Sequence, residues 1–173
     1  VAHPQQRAVG LMEKQRQLAR SSRKSADAES WKSDGISFDG VAATEFLGYT
    51  ENECAAKILD VVTNGEHTVA VGEGEKAIIV LDKTVFYGEG GGQVGDTGVI
   101  TSKDFEFNVT DTKKTAGGVF THFGTVVKGT AAVDTEVTAV IDNERREAIR
   151  RNHTAAHLLQ AGLRKVLGTH VEQ

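Results

Sequence analysis

Two histidines, His153 and His157, stand four residues apart in a stretch whose apolar residues recur at helical spacing. Side chains four apart lie one above the other on an α-helix, so these two imidazoles can bind one metal ion together. Two surface histidines that make ordinary hydrogen bonds explain the spacing equally well. A zinc site needs at least one further ligand, and after the pair the sequence offers only His170 and Glu172. We therefore expect the metal site to be incomplete within this chain.

Glycine makes up six of the thirteen residues 86–98, which we call the glycine loop. Gly90, Gly92 and Gly95 match the Gly-x-Gly-x-x-Gly pattern of dinucleotide sites. That pattern binds phosphate only when a helix follows it, whereas residues 99–101 are rich in β-branched side chains and predict a strand. Two interpretations stay open: a tight crossover in a β-barrel, or a bare backbone that a substrate or an RNA end can approach closely.

Three arginines share one arc of the helical wheel with the two histidines: Arg146, Arg150 and Arg164. A solvated helix face is the usual explanation of such a pattern, and phosphate contact beside a metal site is the functional one. The arc borders an apolar stripe, so we expect the histidines to be half-sheltered. The stripe consists of Ile149, Ala156, Leu159, Leu163 and Val166.

The residues ahead of this helix predict the scaffold that positions it. Short runs of alternating apolar and polar residues, with turn signals every eight to twelve residues, favour a small antiparallel β-barrel. The runs predicted as strands are residues 44–49, 55–62, 67–71, 77–81, 97–101, 105–109, 119–127 and 137–141. Asn64-Gly65 is a hairpin signal between two of them. Asp142 or Asn143 then caps the long helix, which ends at about Gly168.

The N-terminal part of the chain differs in composition from the rest. Residues 4–23 predict a helix with arginines at its C-terminal end, and the polar residues 25–40 predict a linker. The predicted fold class is therefore mainly β with flanking helices (α+β), with an N-terminal helix before the barrel and a long C-terminal helix after it. We place domains at residues 1–35, 36–142 and 143–173.

Composition limits the classes of function. Net charge is −4, so the whole chain has no basic field, and nucleic-acid binding would need a local basic face. The single cysteine, Cys54, excludes an internal disulfide and a cysteine-rich zinc motif, and favours the reducing cytoplasm. The absence of an apolar run near 18 residues predicts no membrane partner, and we expect no DNA partner. Because the sequence does not begin with Met, we expect both ends to lie inside a longer protein.

Two long motifs together resemble the alanyl-tRNA synthetase family. One is the glycine loop, and the other is Arg-Arg-Asn-His-Thr-Ala-x-His-Leu-Leu followed by Leu-Arg-x-Val-Leu-Gly-x-His-Val-x-Gln, within residues 150–173. Their order and separation also fit the family's editing region. The resemblance covers at least residues 44–173, and the N-terminal helix is similar to the end of the family's helical tRNA-recognition domain.

The resemblance implies a function and a set of partners. The family joins alanine to its tRNA with ATP and Mg²⁺ in a catalytic domain that this sequence does not contain. A separate editing domain hydrolyses tRNA that has been charged with serine or glycine by mistake. That domain is a β-barrel like domain two of translation elongation factors, followed by an α+β core shared with threonyl-tRNA synthetases. The implied partner is therefore the tRNA for alanine.

The resemblance also implies roles for individual residues. The family binds Zn²⁺ through His-x-x-x-His and a later Cys-x-x-x-His, and His153 and His157 match the first pair. Gln173 matches a glutamine of the editing pocket. Gly90, Gly91, Gly92 and Gln93 match the motif thought to lie near the acylated tRNA end. The Cys-x-x-x-His pair is missing here, and Cys54 is in the wrong place to replace it. We therefore expect the isolated chain neither to bind zinc tightly nor to deacylate tRNA.

Three alternatives remain: a free-standing editing hydrolase, a non-enzymatic RNA-binding barrel, and an unrelated His-x-x-x-His metalloprotein. The predicted N-terminal helix argues against the first, because such a hydrolase would begin near the barrel. We also expect the apolar stripe of the last helix to be exposed, because its packing partners are missing. It would then either form a non-native dimer or dock on the barrel.

Overall fold

The computed structural model describes residues 36–90 and 92–168. The predicted N-terminal helix, the linker up to residue 35, Gly91, His170, Glu172 and Gln173 lie outside the described residues. Apart from Ile36, the described residues belong to one compact unit, Ser37–Gln173. Among them, no helix is both long and apolar enough to cross a membrane.

Six antiparallel strands close into a β-barrel, as the sequence predicts. They are β2 (Glu53–Thr63), β5 (Lys76–Leu81), β7 (Gly98–Ser102), β8 (Phe105–Lys114), β9 (Phe120–Lys128) and β11 (Glu136–Ile141). The strands pair in the order β11-β7-β8-β9-β5-β2, and β11 pairs again with β2. This last pairing closes the sheet, so no barrel strand leaves a long unpaired edge.

Five short strands decorate the barrel. They are β1 (Glu45–Phe46), β3 (Glu66–Thr68), β4 (Ala70–Gly72), β6 (Lys83–Thr84) and β10 (Thr130–Ala132). The β2–β3 hairpin turns at Asn64 and Gly65, whose φ angles of 52° and 83° are those that a two-residue hairpin turn requires. The predicted strand over residues 44–49 is wrong beyond β1. The backbone N–H groups of Thr50 and Glu51 both bond to the carbonyl of Leu47, so the chain turns there instead.

The barrel interior is mostly apolar and contains the imidazole of His122. Burial alternates along β2 and β8, as expected for strands with one face toward the core. His122 on β9 is fully buried, where Nδ1 lies 2.9 Å from the carbonyl of Ile79 and Nε2 lies 2.8 Å from Oγ1 of Thr84. Burial away from water lowers the pKa of His122 to about 4. His122 is therefore a neutral core residue.

A long helix, α1 (Asn143–Leu167), leaves the end of β11. Asp142 caps it by accepting a hydrogen bond from the backbone N–H of Arg145 at 2.9 Å, which confirms one of the two predicted caps. Only the first turns of α1 contact the barrel, and residues 150–159 are exposed. The predicted half-sheltering of the histidines is therefore wrong. Most of the apolar stripe is exposed as predicted, with Leu159 at 64% and Val166 at 81%, whereas Ile149 and Leu163 are half-buried. The projecting part of the stripe does not dock on the barrel.

Candidate functional site

One buried ion pair fastens α1 to the glycine loop. The Nε of Arg146 donates to Oδ2 of Asp96 at 2.9 Å, and its Nη2 pairs with the same oxygen. Nη1 also donates to the carbonyl of Gly48 at 2.8 Å, and Nη2 to that of Val85 at 2.6 Å. The side chains of Arg146 and Asp96 are only 10% and 2% exposed. All three guanidinium nitrogens of Arg146 are thus engaged within the protein.

The glycine-loop residues next to this ion pair also form several hydrogen bonds. Asp96 accepts a hydrogen bond from the backbone N–H of Tyr87 at 2.7 Å, and its own N–H donates to the Tyr87 carbonyl at 3.0 Å. Next to it, Nη1 of Arg145 donates to the Gly95 carbonyl at 2.8 Å. The two ends of the glycine loop are therefore tied to each other and to the first turn of α1, which fixes the direction in which the helix leaves the barrel.

The glycines of the loop fall into two groups. A Cβ at Gly88, Gly95 or Gly98 would overlap neighbouring atoms, such as the Thr112 carbonyl at Gly95. Gly90 and Gly92 have open space around them. The backbones of Gly90 and Gln93 bond to each other at 3.1 and 3.0 Å, and Gly92 between them has a φ of 78°. The base of the loop is thus closely packed, as a tight crossover requires, and the backbone at its tip is open; the approach of a substrate or an RNA end to that tip stays a prediction.

The loop base covers a half-buried carboxylate. The Asp111 side chain lies beneath Gly95 and accepts a hydrogen bond from the N–H of Thr112 at 2.8 Å. Burial raises the pKa of Asp111, and Lys113 and Arg145 partly oppose that rise. Because Gly95 covers it, Asp111 belongs to the base of the loop and not to its open tip.

Further along α1, exposed side chains lie on the same helix face as Arg146. Residues four, seven and eleven positions after Arg146 lie on the same helix face, and these are Arg150, His153 and His157. Arg146 contacts Asp96 of the glycine loop, so the two histidines lie on the same helix face as the residue that binds the loop. At 1.5 Å per residue, His153 lies about 4.5 Å beyond Arg150 along the helix axis.

The two imidazoles are close enough to share an ion. The Nε2 atoms of His153 and His157 are 3.0 Å apart, and the ring centroids are 4.6 Å apart. Two nitrogens bound tetrahedrally to zinc at about 2.0–2.1 Å would stand roughly 3.3 Å apart. The pair therefore fits two of the ligand positions. The same contact is also a hydrogen bond between the two rings. Among residues 36–90 and 92–168, no group of three or more metal-binding side chains occurs, so metal binding by this pair stays a prediction.

A pocket of about 210 Å³ lies where α1, the glycine loop and the turn after β1 meet. Its lining residues are Phe46, Gly48, Tyr49, Tyr87, Gln93, Arg146 and Arg150. Three of these seven residues were predicted from the sequence to belong to the site: Gln93, Arg146 and Arg150. The aromatic residues Phe46 and Tyr49 were missed because they fall in a segment predicted as a strand. Gly48, directly before Tyr49, is the residue in the sequence that could have indicated a turn here instead of a strand.

The structure separates the remaining predicted residues. Gly90, Gly92 and Gln93 form the open tip of the loop, and the exposed Arg150 lines the same pocket as Gln93. Arg164 lies in the last turn of α1 and outside the pocket. Arg146 is committed to Asp96, so the structure gives it a positioning role, and RNA contact by its guanidinium stays a prediction. Gly91 and Gln173 lie outside the described residues.

Comparison with known proteins identifies relatives of this chain. The family model described as tRNA synthetases class II (A) matches residues 4–145. An alanine–tRNA ligase of Acetivibrio thermocellus is 42% identical over 163 residues, which are 94% of this chain and 18% of that protein. An alanine–tRNA ligase of Leptospira biflexa is 41% identical over 168 residues, covering 94% and 17%. A third, from Chelativorans sp., is 47% identical over 135 residues, covering 78% and 15%.

The chain thus spans less than a fifth of the length of the curated relatives it matches. The match with the family model extends over most of the chain, from the N-terminal residues through the barrel to the first turn of α1. The chain belongs to the class II tRNA synthetase family, and within that family to the alanyl-tRNA synthetases.

Proposed function

We propose that this chain is the part of an alanine–tRNA ligase that helps to hydrolyse tRNA charged with the wrong amino acid. The observation that carries the proposal is the paired imidazoles of His153 and His157, 3.0 Å apart, on the helix face that leads from the glycine loop. Ligation of alanine with ATP and Mg²⁺ belongs, in this proposal, to other parts of the protein. The partner is the tRNA for alanine, and the compartment is the cytoplasm.

Selection among small amino acids explains why such a site is needed. Serine exceeds alanine by one hydroxyl, and glycine lacks one methyl. A pocket that selects by such differences discriminates by only about 10- to 200-fold. A second site that hydrolyses the wrong ester restores accuracy.

Each described residue has a role in this proposal. The open backbone at Gly90, Gly92 and Gln93 lets the acylated end of the tRNA come close, and the exposed Arg150 binds a phosphate near it. His153 and His157 hold a zinc ion, together with ligands outside the described residues. A bound zinc ion would polarise the ester carbonyl or lower the pKa of a water molecule. Arg146 and Asp96 position the helix so that the imidazoles face the loop.

A chimaeric enzyme tests this proposal. The matched segment of the Acetivibrio thermocellus ligase is replaced by this chain, and hydrolysis of seryl-tRNA is measured. We expect the chimaera to hydrolyse seryl-tRNA and the double variant His153→Ala/His157→Ala to lose that activity. His67→Ala, at an exposed histidine on β3, is the matched control and should keep it. Full hydrolysis by the double variant would overturn the proposal.

The second candidate function is RNA binding without catalysis. It is favoured by the incomplete set of metal donors among the described residues. It predicts that the chimaera binds tRNA for alanine but leaves seryl-tRNA intact, with or without zinc.

A further inference from the structure

An aromatic cluster borders the open tip of the glycine loop. Phe46 is its centre, with the ring of Tyr49 at 4.9 Å, Tyr87 at 6.3 Å and Phe120 at 5.4 Å between centroids. Tyr49 and Tyr87 approach Phe46 by their edges, whereas Phe120 stacks parallel to it. Tyr49 nevertheless is 87% exposed. A ring that is held by a neighbour yet open to water presents a flat surface for another ring.

The same pocket carries positive charge. Arg150 lines it and is exposed, and its partner is Glu147, whose Oε1 lies 2.9 Å from Nη1 on the same helix. An exposed pair of this kind contributes little and exchanges readily for another anion. On the far side of the cluster, Nζ of Lys114 lies 5.3 Å from the ring centre of Phe120. Rings flanked by cations are the combination that binds single-stranded nucleic acid, where bases stack and phosphates pair.

We propose that this pocket binds one unpaired nucleotide of an RNA 3′ end, with its base stacked on Tyr49 and its phosphate on Arg150. The inference rests on the proposed function and adds a binding site to it. The pocket, at about 210 Å³, is smaller than the roughly 300–1,000 Å³ of sites for drug-sized ligands, so it suits a single ring system. Aromatic stacking accepts any base, so we expect weak sequence preference at this nucleotide.

The pocket lies at the start of the helix face that carries the imidazoles. His153 lies about 4.5 Å beyond Arg150 along α1, and His157 about 6 Å further. A short stretch of extended RNA crosses that separation. A nucleotide held on Tyr49 therefore directs the terminal ester along this face, toward His153 and His157.

Binding to a labelled RNA tests the inference. The probe is an RNA stem–loop with a short unpaired 3′ tail that contains 2-aminopurine, a fluorescent base whose emission falls when it stacks. A blunt stem–loop of the same sequence is the control RNA. We expect the 173-residue chain to bind the tailed probe more tightly than the blunt one and to quench its emission.

Variants separate stacking from charge. Tyr49→Ala should weaken binding by roughly 5- to 150-fold and remove the quenching, whereas Tyr49→Phe should keep both. Arg150→Gln should weaken binding and make its dependence on salt shallower by about one unit of slope. Val69→Ala, at an exposed apolar residue outside the pocket, should bind like the unmodified chain.

Two results would overturn the inference: equal affinity for tailed and blunt RNA, or unchanged binding and quenching by Tyr49→Ala. The outcome is distinguishable from that of the proposed function. If Tyr49→Ala binds normally while the chimaera still hydrolyses seryl-tRNA, only the pocket assignment fails. If the quenching depends on Tyr49 and the chimaera hydrolyses nothing, the pocket stands and the editing proposal fails.

Discussion

Arg146 and Arg150 are the same residue type, one helical turn apart, with different surroundings. Arg146 is buried against Asp96, and Arg150 is exposed and paired with Glu147 on its own helix. From the sequence both belonged to one basic arc. Burial distinguishes them, and burial depends on where the glycine loop lies, which a helical wheel does not contain.

This difference predicts unequal costs of removing each arginine. Arg146→Ala removes the ion-pair partner of the buried Asp96, and we expect it to lower the free energy of unfolding by about 3–5 kcal/mol. Arg150→Ala is the matched control, with an expected loss of no more than about 1 kcal/mol. Urea denaturation of the two variants measures both values. Equal losses would contradict the assignment of Arg146 as the anchor of α1.

The two groups of glycines in the loop lead to a second prediction. Gly95→Ala should lower the free energy of unfolding by more than about 2 kcal/mol, because its Cβ would overlap the Thr112 carbonyl. Gly90→Ala should leave stability unchanged, because the space around it is open and its φ is not in the left-handed region. Thermal denaturation of both variants checks this. A large loss for Gly90→Ala would show that the tip is packed and that the open-backbone interpretation is wrong.

At the scale of elements, α1 has an attached part and a projecting part. Its bounds could be predicted from the sequence, because Asp142 and Gly168 are strong end signals and the apolar stripe has helical spacing. The packing partners of α1 could not be predicted, because an apolar stripe shows that a helix has a face to bury but does not show what covers that face. The exposure of Leu159 and Val166 was predicted from the missing packing partners, but the sequence left open whether the stripe docks on the barrel, and the structure decides that it does not.

The exposed stripe predicts self-association of the isolated chain. We expect sedimentation equilibrium to show a monomer–dimer mixture that shifts toward dimer as concentration rises, because association removes apolar surface from water. The double variant Leu159→Glu/Val166→Glu should be monomeric. Thr154→Glu, an exposed position off the stripe, is the control for added charge and should still associate. A monomer at every concentration for the unmodified chain would contradict this prediction.

At the scale of the whole molecule, most of the barrel was predictable. Its strands alternate in polarity, and Asn64-Gly65 between two of them is a specific signal for a hairpin turn. The closing pair of β11 with β2 was implied by the barrel assignment but not readable from any residue. The pocket was the part least accessible to sequence reasoning, since it joins three segments that are distant in the chain and includes an aromatic turn mistaken for a strand.

The buried His122 makes barrel stability depend on pH. Its pKa is about 4 when folded and 6.5 for the ordinary side chain, so the unfolded chain binds the proton first as pH falls. The stabilisation is complete above pH 6.5 and is lost as pH falls toward 4, by roughly 3 kcal/mol in all. Urea denaturation between these pH values measures it.

Two variants test whether His122 causes this pH dependence of stability. His122→Asn should be less stable but show a flatter pH profile, while His67→Asn, at an exposed histidine, should keep the original profile. A stability that stays constant from about pH 6.5 to 4.5 in the unmodified chain would contradict the buried neutral histidine.

The central claim is that the imidazole pair on α1 holds a metal ion for hydrolysis of a mischarged tRNA. Its most direct test is the rate of seryl-tRNA hydrolysis by the chimaera after a chelator has stripped its zinc, and again after zinc is restored. We expect the rate to fall to that of the His153→Ala/His157→Ala variant on stripping and to recover on addition of zinc only when both histidines are present. Hydrolysis that continues unchanged without zinc, or that recovers in the double variant, would contradict the claim.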